Sequence, residues 1–136
     1  MAVNFQNRVL VLGAGSVSQT LVPLMLKEKT VDPKQITIVD KLDIRHRFQS
    51  SIEAGVTYII DELNRSNIKE FLTKYLKKGD FLIDLAWNID ANEIIGWAHD
   101  NDVIYLNTSL EMWDPNSDPA SRPPQDKTLY TRHMKL

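Results

Sequence analysis

The sequence predicts an α/β fold, a doubly wound parallel sheet in one domain, and three observations support this. Short apolar, β-branched runs alternate with segments of helical periodicity along the 136 residues. The strand segments are apolar almost throughout, which is typical of strands that helices cover on both faces. The first strand also runs directly into a glycine turn from which a helical pattern opens. Right-handed crossovers then predict the strand order 3-2-1-4-5.

Five strand segments are bounded by turn-forming or polar residues. The first, residues 8–12, ends at Gly13, and the second, residues 36–40, ends at Asp40. The remaining strands are predicted at residues 57–60, 81–85 and 103–107.

The helical segments lie between these strands and place apolar residues on one helix face. They are predicted over residues 16–28, near residues 44–51 and over residues 67–77. Asp90 caps a fourth helix, with Glu93 completing the cap pair three residues later. A last helical pattern starts near Lys127, after a proline-rich loop over residues 114–126.

Composition excludes several classes of function. The formal net charge of −2 gives no reason to expect nucleic acid or an anionic membrane as a partner. The absence of cysteine excludes a disulfide framework, a zinc–thiolate site and a cysteine nucleophile. No metal is expected, because His46, His99 and His133 fall at no metal-ligand spacing. We expect a cytoplasmic location, since the sequence has neither a transmembrane-length apolar run nor the apolar core of a signal peptide.

The glycine turn carries the strongest functional signal, that of a dinucleotide-binding βαβ unit. Gly13 would make the tight turn, and Gly15 would let the backbone approach a pyrophosphate. The N–H groups at Ser16 and Val17, where the helix begins, would meet the phosphate charge. Ser18 stands where this fingerprint has its third glycine, a position that needs a small residue for close helix–strand packing. The alternative is an ordinary βαβ turn without a ligand.

Asp40 predicts which dinucleotide binds. An acid at the end of the second strand would accept hydrogen bonds from the adenosine ribose and repel a 2′-phosphate, so NAD is favoured over NADP. Lys41, Arg45 and Arg47 follow it, and an arginine there could instead bind that phosphate. We interpret these three residues as a solvated helix face.

Residues that follow the later strands are further candidates, because ligands bind outside the carboxyl ends of parallel strands. After the fourth strand, Ala86 would allow close approach of the cofactor and Asn88 could bond a ribose. After the fifth, Asn107 and Thr108 carry donors and acceptors where the nicotinamide half should lie. Glu62 is interpreted instead as a solvated helix residue.

Glu111 and Trp113 predict a site for an amine or polyamine. A carboxylate can anchor a cationic amine, and the face of a tryptophan attracts the same cation. The alternative is a surface glutamate beside a tryptophan that anchors a long loop.

Three blocks of sequence together resemble the bacterial homospermidine synthases, relatives of the saccharopine dehydrogenase group. They are VLVLGAGSV at residues 9–17 with LVPL at 21–24, YLNTSLEMW at 105–113 and TLYTRH at 128–133. The resemblance implies a dinucleotide-binding domain over residues 1–126. Residues 127–136 would then begin a helix that leads into a substrate domain outside this chain.

The resemblance also implies an NAD-dependent enzyme of polyamine metabolism that acts on putrescine. Such an enzyme passes a hydride to NAD, joins the deaminated carbon to a second putrescine, and returns the hydride to give homospermidine. By the resemblance Glu111 would lie at the amine site. We extend the catalytic assignment to the neighbouring Trp113 because its aromatic face attracts a cation. The full-length enzyme is expected to form a homodimer, and this chain alone is expected to be inactive.

Two other interpretations stay open. One is another oxidoreductase of the saccharopine or amino-acid dehydrogenase kind, which would need a cation for the substrate carboxylate, and Arg122 is the nearby candidate. The other is a non-enzymatic domain that senses NAD for regulation. A sensor has no need for the Glu-Met-Trp segment or the proline-rich loop after the fifth strand.

Overall fold

Five parallel strands and five α-helices alternate in a computed structural model that describes residues 5–114 and 120–136. The strands are β1 (Val9–Leu12), β2 (Ile36–Asp40), β3 (Thr57–Ile60), β4 (Phe81–Asp84) and β5 (Ile104–Asn107). The helices are α1 (Ser16–Lys27), α2 (Gln49–Glu53), α3 (Ile68–Tyr75), α4 (Ala91–Asp100) and α5 (Leu129–His133).

The sheet has the order β3-β2-β1-β4-β5, which confirms the predicted doubly wound fold and strand order. The chain leaves β1 in one direction to reach β2 and later returns to the other side of β1 to form β4. In register, Leu12 of β1 lies beside Val39 of β2 and Asp84 of β4. The ends of these three strands therefore meet at one edge of the sheet, where a doubly wound fold binds its ligand.

Alternate residues of each strand supply two separate cores. Leu10 and Leu12 are buried with α3 and α4 side chains on one face of the sheet. Val9 and Val11 are buried on the other face, together with Val22 of α1. Because both faces carry apolar residues, the strands read as continuous apolar runs.

The fifth strand is only partly covered on the α1 face. Ile104 and Leu106 pair with Phe81 and Ile83 of β4, so they lie on that face, yet they are 51% and 46% exposed. Within the part of the chain that the structure describes, the covering of this face thus stops short of β5.

Three departures from the predicted elements have local causes. The helix expected near residues 44–51 is a 3₁₀ turn, Arg45–Phe48, followed by the short α2. Helix α3 ends at Tyr75 instead of residue 77, because Leu76 already adopts extended backbone. In the predicted proline-rich loop, residues 115–119 lie outside the described residues, and the described remainder includes a 3₁₀ turn at Pro124–Lys127.

No helix among the described residues is long and apolar enough to cross a membrane.

Candidate functional site

Gly13 is fixed by its surroundings rather than by its motif alone. Its φ of +94° lies in the left-handed region, and a Cβ built on it would lie 2.9 Å from the main-chain N of Ala86 and the main-chain O of Leu85. Its own N–H donates to the carbonyl of Val39 at 2.8 Å. Only glycine fits where the β1–α1 turn meets the turn after β4.

Gly15 is different, because no described residue requires a glycine there. Its φ of −66° suits any residue, and no atom of the described residues beyond its chain neighbours lies within 4 Å of a Cβ added to it. It is the N-cap of α1, makes no side-chain cap bond, and is followed by a first turn without an acid. The N–H groups at Ser16 and Val17 therefore lack helical acceptors and have no acidic side chain in their own helical turn, which is the arrangement that binds an anion.

Ser18 fills the place of the third glycine. It is fully buried, and its hydroxyl donates to the carbonyl of Gly13. A small polar residue thus packs α1 against β1 and also bonds the turn itself.

Asp40 is bonded to the glycine turn in this structure. Its Oδ2 accepts the N–H of Ala14 at 2.7 Å, and its Oδ1 accepts the N–H of Leu42 at 2.8 Å. A carboxylate oxygen can accept two hydrogen bonds, so ribose hydroxyls could still donate to it. The carboxylate would then link the glycine turn and the ribose.

Two of the three basic residues after β2, Lys41 and Arg45, have carboxylate partners. Arg45 lies 2.6 Å from Asp43 between Nη2 and Oδ2, and Lys41 Nζ lies 3.9 Å from Glu62 Oε1. Hydrogen bonding to Arg45 lowers the pKa of Asp43 to about 2, so this carboxylate is charged at neutral pH. These contacts reduce the positive charge open to a 2′-phosphate.

A cleft of about 400 Å³ opens at the carboxyl edge of the sheet between these turns. Predicted site residues that line it are Gly13, Gly15, Asp40, Ala86, Asn88 and Trp113. Ser16, Val17, Asn107, Thr108 and Glu111 do not line it. Lining residues that the sequence did not predict as part of the site include Asp61, Glu62, Leu63 and Asn64.

The segment after β3 is the main part of the cleft that sequence reasoning missed. Glu62 is exposed, as expected of a solvated residue, but its placement on a helix is wrong, because it follows β3 in a loop that lines the cleft. Its neighbour Asp61 bonds Lys74 Nζ at 2.8 Å and Tyr75 Oη at 2.5 Å, and these bonds lower the pKa of Asp61. The available signal was its position, since the end of β3 meets the same sheet edge as the other strand ends.

A buried carboxylate, that of Asp84, stabilises the turn after β4. Asp84 accepts hydrogen bonds from Tyr105 Oη at 2.8 Å and from the N–H of Ala86 at 3.2 Å. Burial raises the pKa of Asp84 and also that of Tyr105. Asn88 has a left-handed φ of +63°, and its Oδ1 accepts the N–H of Asp114 at 2.8 Å. Asn88 therefore also holds the segment after β5.

The two residues at the end of β5 lie outside the cleft. Asn107 donates from Nδ2 to the carbonyl of Ser109 at 2.9 Å, and Thr108 is exposed. Both remain at the strand end nearest Asp84 and Ala86, because Asn107 pairs with Asp84 in the sheet register.

Glu111 and Trp113 have different surroundings. Glu111 Oε1 accepts the hydroxyl of Ser109 at 2.9 Å. Trp113 lines the cleft, donates from Nε1 to Glu93 Oε1 at 3.1 Å, and has the guanidinium of Arg65 5.7 Å from its ring centroid. The ring of Trp113 thus already contacts one cation. The Glu93 carboxylate thus bonds Trp113 and does not complete the cap pair expected with Asp90. Asp90 itself caps α4 by accepting the N–H groups of residues 92 and 93.

The described residues contain no group of three or more histidine, cysteine or acidic side chains that could hold a metal ion.

Comparisons with known proteins agree with this arrangement. The family model for the saccharopine dehydrogenase NADP binding domain matches residues 9–136. Two curated homospermidine synthases, from Blastochloris viridis and Mesorhizobium japonicum, are each 25% identical over 122 residues, 84% of this chain and 25% of theirs. The homospermidine synthase of Legionella pneumophila, solved in complex with NAD, matches with a TM-score of 0.75 and 26% identity over 96% of this chain and 27% of its own. The chain therefore spans about a quarter of the length of these relatives.

Proposed function

The chain belongs to the saccharopine dehydrogenase NADP-binding domain family, and from that premise we propose that it binds NAD in the cleft at the carboxyl edge of its sheet. The observation that carries this proposal is the open space at Gly15, beside an α1 N-terminus with no side-chain cap. A pyrophosphate there would accept the N–H groups of Ser16 and Val17. The homospermidine synthase of Legionella pneumophila, solved with NAD, gives independent support.

The two halves of NAD would take opposite ends of the cleft. The adenosine ribose would donate to Asp40, close to the segment after β3. The nicotinamide half would lie toward Ala86 and Asn88, with Asn107 and Thr108 at the neighbouring strand end. Bound NAD would supply an acceptor, and then a donor, of hydride.

A preference for NAD over NADP rests on the charges around the ribose end. Asp40, Asp61 and Glu62 place three carboxylates along the lining of the cleft. Asp61 and Glu62 lie against Lys74 and Lys41, whereas Asp40 accepts main-chain N–H groups. A 2′-phosphate would therefore lie against the charge of Asp40, while Arg45 is bonded to Asp43. The ribose end of this chain is therefore suited to a diol, whichever dinucleotide other members of the family use.

We further propose that the whole protein is a homospermidine synthase that acts on putrescine. One amine carbon loses a hydride to become an imine, a second putrescine displaces ammonia from it, and the returned hydride reduces the new imine. Glu111 would hold the cationic amine, and Trp113 would add an aromatic face beside it. Support comes from the two curated relatives and from the position of both residues after β5.

We also propose a domain organisation and a working state for the whole enzyme. Residues 1–126 would form the dinucleotide-binding domain, and residues 127–136 would begin the connection to a substrate domain. The chain alone would be inactive, and the whole enzyme would be cytoplasmic and homodimeric. An amino-acid dehydrogenase of the same family would share the cofactor site and differ in its substrate, so activity on putrescine separates the two.

Calorimetric titration of the chain with NAD and NADP tests the cofactor part. We expect NAD to bind and NADP to bind more weakly, and equal or tighter binding of NADP would sink the preference. Incubation of the whole protein with NAD and putrescine, followed by mass spectrometry, should show homospermidine. Turnover by residues 1–136 alone would place the catalytic groups elsewhere than we propose.

A further inference from the structure

The first turn of α4 binds α5 through a shielded ion pair. Arg132 of α5 donates from Nη2 to both carboxylate oxygens of Asp90, each at 3.0 Å. The two side chains are only 16% and 18% exposed, so water weakens this pair less than it weakens a surface pair. Asp90 is also the N-cap of α4, which places the guanidinium at the start of that helix.

The same nitrogen of Arg132 also reaches the main chain of Glu111. It lies 3.2 Å from the carbonyl oxygen of Glu111, and that oxygen also accepts the N–H of Ala91 at 3.1 Å. Two donors from two different helices therefore hold this one peptide group. The backbone position from which the Glu111 side chain extends is therefore fixed relative to α4. The hydroxyl of Ser109 donates to the Glu111 carboxylate.

We propose that Arg132 is a positioning residue, which fixes the main chain at Glu111 so that the carboxylate can receive the substrate amine. This role rests on the proposed function, in which Glu111 holds that amine. All three bonds come from the terminal Nη2 of the guanidinium, which shares its N–H groups between the carboxylate and the carbonyl, whereas a lysine keeps the charge on a shorter side chain with a differently shaped head group. Displacement of a binding group by about 1 Å can cost about 100-fold in rate.

A purely structural role for Arg132 makes a different prediction. Asn92 also docks α5, because its Nδ2 donates to the carbonyl oxygen of Arg132 at 3.2 Å. No contact of Asn92 reaches Glu111 among the bonds of the described residues. Asn92→Ala therefore loosens α5 without removing a donor from Glu111, and it is the matched control.

The test is steady-state kinetics of the whole protein in four variants: Arg132→Met, Arg132→Lys, Asn92→Ala and Glu111→Gln. We expect Arg132→Met to raise the KM for putrescine about tenfold or more, with the KM for NAD unchanged. Arg132→Lys should give an intermediate KM, which keeps the test valid if the methionine variant does not fold. Asn92→Ala should lower the melting temperature and leave both KM values as in the wild type.

The variants separate two kinds of failure. If Glu111→Gln weakens the use of putrescine while both Arg132 variants keep the wild-type KM, the positioning role is wrong and the proposed function stands. If Asn92→Ala raises the KM as much as Arg132→Met does, the effect is general loosening of α5 and the positioning role is again wrong. Wild-type putrescine kinetics in Glu111→Gln would overturn both proposals.

Discussion

The glycine turn and the segment after β5 are built in different ways. Around Gly13, main-chain groups bond one another: Gly13 donates to Val39, and Leu85 donates to Leu12, both at 2.8 Å. After β5, the segment that contains Glu111 is held mainly by side chains from elsewhere, including Asn88, Glu93 and Arg132. The surroundings of Gly13 depend on backbone shape, and the segment after β5 depends on particular side chains.

This difference decides what a substitution does. At Gly13 a new side chain collides with main chain that cannot move aside, so the fold itself should suffer. After β5 a lost side chain removes one contact among several, so the fold should survive while the geometry of the site changes. The following predictions test that contrast, from the largest expected effect to the smallest.

Gly13→Ala should destabilise the fold most. The left-handed φ costs about 1–3 kcal/mol for a residue with a Cβ, and the contacts at 2.9 Å add roughly 1–3 kcal/mol of overpacking. Urea unfolding of the chain measures the sum. Gly96→Ala is the matched control, because its Cβ meets nothing within 4 Å inside α4 and should stabilise the helix by up to about 1 kcal/mol. Equal stability of the two variants would contradict the close contact at Gly13.

Gly15→Val should remove NAD binding and leave the fold nearly intact. The added side chain enters open space, at a cost of about 1 kcal/mol for a poorer N-cap, but it occupies the proposed position of the pyrophosphate. Calorimetry reports the affinity and circular dichroism reports the fold. Gly15→Ala is a graded step, and wild-type affinity in a folded valine variant would place the cofactor elsewhere.

Asp40→Ala should weaken NAD binding by roughly 1.5–3 kcal/mol, the size of a hydrogen bond to a charged acceptor. Because Asp40 also bonds Ala14 and Leu42, the alanine variant disturbs the turn as well. Asp40→Asn keeps an acceptor and removes the charge, so it should reduce the difference in binding affinity between NAD and NADP. An unchanged NAD affinity in both variants would mean that Asp40 does not contact the ribose.

Substitutions at Glu111 and Trp113 should affect putrescine rather than NAD. In the whole protein Glu111→Gln should weaken the use of putrescine at nearly unchanged NAD affinity. Trp113→Phe should be milder than Trp113→Ala, since a cation–π contact contributes about 0.5–2 kcal/mol and phenylalanine keeps an aromatic face. Wild-type kinetics in both Glu111→Gln and Trp113→Ala would show that the pair only anchors the loop.

Asp84→Asn should have the smallest effect, and that effect should depend on pH. Burial raises the pKa of Asp84 above its ordinary value of 3.8, so its stabilising contribution is complete below that value and is lost as the pH rises through the folded pKa. Asparagine stays neutral throughout. The variant should therefore be more stable than the wild type at pH 7, with the difference shrinking toward pH 4 in urea titrations. A difference that does not change with pH would mean that Asp84 is charged at no cost in the folded state.

The fold could be predicted from the sequence because its signals are local. Apolar β-branched runs, the glycine turn and the alternation of strand and helix each occupy a few adjacent residues, and handedness rules then restrict the topology. The exact end of α3 could not be predicted, because it depends on the backbone that Leu76 adopts before β4.

The site was predictable in part, for the same reason. Residues at strand ends, such as Gly15 and Asp40, follow from the order of the elements, and the same rule applied to β3 would have found Glu62. The partners of the segment after β5 could not be inferred. Arg132 lies 42 positions from Asp90, and no local pattern shows that the two side chains meet.

The pairing of β1 with β4 affects when the cleft forms during folding. Arg8 bonds Asp80, which lies 72 positions later in the chain, so this seam between β1 and β4 must close a long loop before its contacts stabilise the fold. We expect β1, β2 and β3 to assemble first during folding, and the side of the cleft that Ala86 lines to form later. A ligand that spans the seam binds only the closed chain and would add about 2.7 kcal/mol of stability at a hundredfold excess over its Kd. The unfolding rate, measured with and without NAD, should be lower when the ligand is present. An unchanged unfolding rate would mean that NAD does not bridge the seam.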